Sequence, residues 1–259
     1  MTIEVLISTM YQTDHSLLER MNIQTDAIVV NQCEENKIED FEYNGHKIKW
    51  ISLRERGVGL SRNTALMRSK ADVCLFADDD IVYEDGYGEK VLAAFEQKKK
   101  AALIAFNLKS MNPNRPEKII QKTHRMHWYN CLKYGSSRIA IKREKIIKAN
   151  IVYSLLFGGG ARYQAGEDNL FITQCLQKKL RGYASSYHIG TVKQEESTWF
   201  RGYNEEYYQD RGALFYAMYG KRAKAILFLF ELRNKERTFP FFKRLHLGKI
   251  GIKKFLKGD

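Results

Sequence analysis

Three consecutive aspartates, Asp78, Asp79 and Asp80, end the apolar run from Val73 to Ala77, and a second acidic pair, Glu167 and Asp168, follows 90 residues later. Three adjacent carboxylates repel one another, so a fold gains little from placing them together without a counter-charge. In extended chain Asp78 and Asp80 lie on the same face. Such a pair can share one Mg²⁺ or Mn²⁺ ion, which takes one or two protein carboxylates and completes its shell with phosphate oxygens and water. The triplet also reads as a solvated acidic turn that caps the next element. Glu167 and Asp168 follow Phe157-Gly158-Gly159-Gly160, where glycines allow the backbone close to a ligand. An acid beside such a loop suits a general base; acids in a first helical turn are also favoured by the helix dipole alone.

The elements that must position these groups follow from periodicity. Ile3–Ile7, Ala27–Val30, Ile48–Leu53 and Val73–Ala77 read as short buried strands, with helices expected over 17–21 and after Gly57. In open α/β sheets ligands bind beyond the carboxyl ends of strands. Ser8, Thr9, Asn31 and Gln32 fall there, where amides can pair with the imide edge of a pyrimidine or simply serve the turn. Ser61 is expected to cap the second helix, placing Arg62 and Asn63 in its first turn, where a helix N-terminus and an arginine suit a diphosphate. Further on, a helix is expected over 88–100, a strand over 101–106, a loop over 112–125 and a short strand over 138–141. A helical turn over 142–149 and a strand pair over 183–192 follow, with an apolar helix at 213–219. The chain has neither a G-x-x-x-x-G-K-[ST] nor a complete G-x-G-x-x-G, which argues against P-loop NTPases and dinucleotide dehydrogenases.

With 259 residues, 44% of them hydrophobic, the chain suffices for one large α/β domain with an appendage. The net charge is +13, and residues 233–259 hold nine Lys/Arg against two acids, so +7 of it resides there. That asymmetry calls for a polyanionic partner: membrane surface, nucleic acid or nucleotide. Cys33, Cys74, Cys131 and Cys175 form no C-x-x-C pair and read as reduced core thiols of a cytosolic protein. The first residues lack the features of a secretory signal, and the longest apolar run, Ala225–Phe230, is far short of the ~20 residues that cross a bilayer. The alternating apolar and basic tail suits either the headgroup region of an anionic membrane or a packed helix with a basic outer face.

Taken together, VLIST, GVGLSRNTAL, FADDD, FGGGARYQAGEDNLF and EESTWF resemble, in order and spacing, the family 2 glycosyltransferases, here of the bacterial capsule and exopolysaccharide type. The resemblance spans roughly 2–219. It implies a GT-A fold, a Rossmann-like mixed sheet flanked by helices, over 1–219, with a basic helical extension over 220–259. It further implies an inverting, metal-dependent enzyme that moves a sugar from a UDP-sugar donor to a glycan or polyprenyl-diphosphate-linked hydroxyl at the cytoplasmic face of the membrane. By that resemblance Asp80 and Asp78 hold Mn²⁺ or Mg²⁺, with Asp78 and Asp79 also at the donor. Asp168 is the base, Glu167 orients the acceptor, and Arg62 and Asn63 lie near base and phosphates. The chain departs from the family pattern at Asn31-Gln32, where the family often carries Asp-Asp. It departs again at Gln194, which occupies the place of a metal-binding histidine. Two rival classes remain: a sugar-phosphate nucleotidylyltransferase, which lacks its glycine-rich lysine loop here, and a basic nucleic-acid-binding module, which would not need the aspartates.

Overall fold

Apolar side chains alternate along the early strands and fill cores on both faces of one sheet. Val5, Ile7, Val29, Leu75 and Ala77 belong to one core, and Leu6, Ile28, Val30, Cys74 and Phe76 to the other. The computed structural model describes residues 1–194, 202–234, 236 and 238–258, so the EESTWF segment lies outside the described residues.

The first half contains β1 (Ile3–Met10), α1 (Leu17–Arg20), β2 (Asp26–Gln32), β3 (Lys37–Tyr43), β4 (His46–Leu53), α2 (Val58–Arg68), β5 (Val73–Asp78), β6 (Ile81–Tyr83) and α3 (Tyr87–Gln97). The second half contains β7 (Ala101–Ser110), β8 (His124–Arg125), β9 (Ile139–Lys142), α4 (Arg143–Lys148), α5 (Glu167–Gln177), β10 (Arg181–Val192), α6 (Glu205–Tyr219), α7 (Ala223–Arg233) and α8 (Phe241–Lys257). The strands form a single mixed sheet in the order β3-β4-β2-β1-β5-β9-β7-β10-β6, with β8 beside β10. β1, β2, β4 and β5 are mutually parallel, and β9 runs antiparallel between β5 and β7. The carboxyl ends of β1, β2 and β5 therefore open on one rim, which carries the acidic triplet.

Several expectations are corrected. The strand pair expected over 183–192 is one long strand, β10, parallel to β7 and antiparallel to β6. β3 was not expected; it forms a hairpin with β4 through Asn44 and Gly45, both at positive φ. The helix expected to end at Lys100 stops at Gln97, because Ala101 already enters β7. The loop expected over 112–125 ends in the two residues of β8. All four cysteines are buried and unpaired.

The last helices pack tightly on α6. A Cβ on Gly212 would fall 2.0 Å from the Gly248 carbonyl oxygen, and one on Gly251 only 1.8 Å from that of Gln209, so the α6–α8 seam requires bare backbone. Arg244 and Glu231, 5% and 0% exposed, form a 2.8 Å ion pair between α8 and α7. No helix is long and apolar enough to cross a membrane among the described residues. Replacing Gly251 by alanine forces a methyl group into a carbonyl, and overpacking of this kind costs about 1–3 kcal/mol. The urea midpoint of Gly251→Ala should fall accordingly; an unchanged midpoint would rule out a seam this close.

Candidate active site

The alternation that fills the two cores also aims the first aspartate. Cys74 and Phe76 face α2 and α5, so Asp78, two further on, faces the same helices. Beneath it Phe76 meets Tyr153 and Phe171 edge-on at 5.1 and 5.8 Å, and Tyr153 stacks on Phe171 at 4.3 Å. This aromatic floor fixes the strand, the 153 connection and α5 relative to one another.

On that floor lies Arg62, 3% exposed, its guanidinium 5.3 Å from the Tyr153 ring centroid. Its Nη2 donates to Asp78 Oδ1 at 2.8 Å, and its Nη1 donates to Glu167 Oε1 at 2.9 Å and to Asp168 Oδ1 at 3.0 Å. One buried cation thus ties the end of β5 to the first turn of α5. Burial opposes its charge, but Asp78, Asp168 and Glu167 more than offset this and raise its pKa above the ordinary arginine value. Burial, then Asp168, push Glu167 up to about 7 against the pull of Arg62. Burial likewise raises Asp78, with Arg62 opposing. At Asp80 burial and then Asp78 and Asp79 push the pKa up to about 6, partly offset by the backbone N–H of Gln194.

The α2 N-terminus differs from expectation. Its cap is Gly57 at φ +127°, not Ser61, which lies inside the helix and donates to Ser8 Oγ at 2.9 Å. Arg62 and Asn63 accordingly sit in the second turn. The Gly57 N–H donates to Gln32 Oε1 at 2.7 Å and the Val58 N–H to the Gly159 carbonyl at 3.0 Å. These two donors are already satisfied inside the protein and are not free for a diphosphate. Gly59 passes so close to Ser154 that a Cβ would stand 2.4 Å from its carbonyl oxygen.

A cleft of about 1080 Å³ opens over these groups. Its lining brings together Ser8, Thr9, Gln32, Arg62, Asp78, Asp79, Asp80, Glu167, Asp168 and Gln194. Thr9 donates to Asp79 at 2.5 Å. Two expected donor-site residues do not line it. Asn31 exchanges hydrogen bonds with the backbone of Gln12, and Asn63 does the same with that of Tyr153, so both amides brace the chain. Gln194 reaches the cleft, but its Oε1 accepts from Ser110 and its Nε2 donates to Glu117; a role as metal ligand requires that these partners be exchanged. His188, six residues earlier, is paired with Glu84. Arg115, Pro116, Gln164, Asn169 and Tyr203 also line it and were not read as site residues from sequence. Asn169 Oδ1 is buried without a hydrogen-bond partner and has capacity for a ligand donor.

Five carboxylates therefore share one cleft; Arg62 engages three of them, and Arg115 also lines the wall. The remaining negative charge, concentrated on Asp79 and Asp80, suits a divalent cation that arrives with anionic oxygens.

Sheet order and strand-end cleft together define a GT-A fold. The sequence model described as "Glycosyl transferase family 2" matches residues 7–153, more than half the chain, and the protein belongs to that family. It is a glycosyltransferase, and the nucleotidylyltransferase and nucleic-acid-binding readings give way. Among solved structures, Staphylococcus aureus TarS 1–349 in complex with UDP-GlcNAc matches with a TM-score of 0.65 at 14% identity, covering 100% of this chain and 93% of that one. The UDP complex of TarS 1–349 matches with a TM-score of 0.63 at 15% identity, covering 100% and 92%. The structure titled simply S. aureus TarS gives 0.64 at 14%, covering 98% of this chain and 54% of that one. At such identities the likeness concerns the fold. No curated protein matches the sequence.

Two outcomes follow from the charge arrangement. Carboxyls whose folded pKa is raised stabilise the protein fully below their unfolded values near 4, and that contribution is lost as pH rises through about 6 for Asp80 and about 7 for Glu167. In chelator, thermal stability should fall between pH 5 and 7.5, and Glu167→Gln should flatten the slope. Removing one partner of a buried ion pair costs about 3–5 kcal/mol. Arg62→Met should lose about that much at pH 7.5 and less at pH 5, where Glu167 can take a proton; equal losses at both would refute the role of the guanidinium as counter-charge.

Proposed function

We infer that the protein transfers a sugar from a UDP-sugar to a hydroxyl of a glycan or polyprenyl-diphosphate-linked acceptor, with inversion, in cell-surface polysaccharide synthesis. The observation that carries this reading is the Arg62 cluster, which holds Asp78 on the strand rim and Glu167 and Asp168 on α5 around one cleft. The family and the UDP-bound structures of like fold support the donor class.

In this reading Ser8, Thr9 and Gln32 line the nucleoside end of the cleft, and Asp78 and Asp80 hold a Mn²⁺ or Mg²⁺ ion. When bound, that ion neutralises charge growing on the departing diphosphate. Arg62 keeps Asp78 and Asp168 in register and lends its field to the same region without leaving its carboxylates. Asp168, 25% exposed at the start of α5, accepts the proton of the incoming hydroxyl on the side away from the leaving group. Displacement in a single step inverts the anomeric centre. Glu167, 12% exposed and pushed up to about 7, orients the acceptor from behind. The site would act in the cytoplasm against the inner face of the membrane, where a lipid-linked acceptor is available.

Calorimetric titration of UDP should give heat in Mn²⁺ and little in chelator, and Asp80→Ala should abolish the difference. Asp168→Asn should retain UDP binding while kcat falls by about 10²–10⁴-fold, the usual weight of a general base. Absence of UDP binding in every condition would overturn the donor assignment and direct attention to Asn31 and Gln32.

A further inference from the structure

α7 carries apolar residues on most of its circumference, yet only one side of it is covered. Ala223, Leu227 and Glu231 are buried, while Phe228, Leu229 and Leu232 are 42%, 53% and 58% exposed. A wide apolar helix surface is ordinarily covered by core or lipid. Phe241, 5.6 Å from Phe228, joins this face to Phe242, which is 79% exposed at the start of α8. Along α8 the outward stripe continues as Phe242, His246, Lys249, Lys253 and Leu256, spaced by alternating steps of four and three residues. Lys221, Arg222, Lys224 and Arg233 flank the apolar side of α7 and are exposed. No exposed position of α7 or α8 carries an acid: Glu231, the one acid in either helix, is buried against Arg244.

We propose that this face docks on an anionic lipid bilayer, with Phe228, Leu229, Leu232 and Phe242 entering the headgroup–acyl boundary and the lysines of α8 lying over the anionic headgroups. An apolar wedge bordered mainly by lysines and arginines has the charge and polarity sequence of an interfacial helix surface. A protein partner would have to be both apolar and strongly acidic to match it. The wedge also lies near the cleft mouth. Tyr203 lines the cleft, Asn204 caps α6, and Glu205 pairs at 2.7 Å with Lys243, the neighbour of Phe242. Docking would thus bring the cleft mouth close to the bilayer surface, where the diphosphate of a lipid-linked acceptor lies. This inference rests on the glycosyl-transfer reading for the acceptor, but the docking itself does not depend on it.

The test is co-sedimentation of the full chain with phosphatidylcholine vesicles, with and without about one third phosphatidylglycerol, beside UDP titration of the same preparations. Binding to the anionic vesicles is expected. Phe228→Ser/Leu229→Ser/Phe242→Ser and Lys249→Glu/Lys253→Glu should each reduce it by at least about 10-fold, with UDP binding and melting temperature unchanged. Lys99→Glu/Lys100→Glu, a charge reversal in the turn after α3, should leave it intact. Equal loss in that control, or vesicle binding indifferent to the variants or to phosphatidylglycerol, would overturn the docking face. So would light scattering that shows a dimer broken by the serine variant, which would give the face to a second copy. Vesicle binding without UDP binding would overturn the donor assignment and leave the docking face standing.

Discussion

A single buried guanidinium sets the geometry on which the rest of the site depends. Arg62 engages three carboxylates from two elements 16 and 105–106 residues away, so neither the end of β5 nor the start of α5 can shift without breaking a buried charged contact. In a desolvated setting an ion pair is favourable only when its geometry and remaining hydrogen bonds are good. Here the arginine meets three acids and an aromatic face at once. The acids outnumber it, and burial, with their surplus second, leaves Asp80 and Glu167 with raised pKa values. The surplus acids therefore repel one another at the place where a bound cation would offset them.

Everything beneath that cluster keeps it from relaxing. The Phe76, Tyr153 and Phe171 rings form a closed packing unit, and Ser136 meets the Tyr153 hydroxyl at 2.7 Å. Above it the glycine-rich connection is pinned at both ends. Gly158, at φ +107°, leaves no room for a side chain, since a Cβ would stand 2.9 Å from the Glu167 carboxyl carbon. Gly166, at φ +111°, starts α5 and would drive a Cβ to 2.5 Å from Leu214 of α6. Glycine at these two positions serves the approach of protein to protein, which in turn sets where Glu167 and Asp168 point.

Strands buried on both faces were legible because short apolar runs ending in polar pairs leave few alternatives, and the acidic triplet at the end of β5 follows directly. β3 was not, although its signal was present: Asn44-Gly45 between Tyr43 and His46 is the two-residue turn that joins hairpin strands. Its alternating charges, suited to an exposed edge strand, hid it from a reading based on apolar runs. Arg62 stood out in the sequence as a candidate and its ion pairs did not, because they join residues distant in sequence. Asn31 and Asn63 show the reverse error. An amide at a strand end or in a helix serves a ligand and a backbone brace equally well, and only tertiary contacts distinguish them. The C-terminal basic pattern identified a cationic surface, but not that α7 turns an apolar face outward, since its apolar residues are spread over most of its circumference.

The distal end of α8 has its own consequence. Phe255 packs against Phe157 and Tyr163 at 6.0 and 5.8 Å, and Arg162 donates to the Gly258 carbonyl at 2.9 Å, so the last turn of this helix supports the connection that leads to Glu167. Truncation within this turn would therefore alter turnover as well as any attachment elsewhere. Inherited changes in the last turn of α8 and in the 157–163 connection should compensate one another, so that tails exchanged between relatives would work only together with their matching connections.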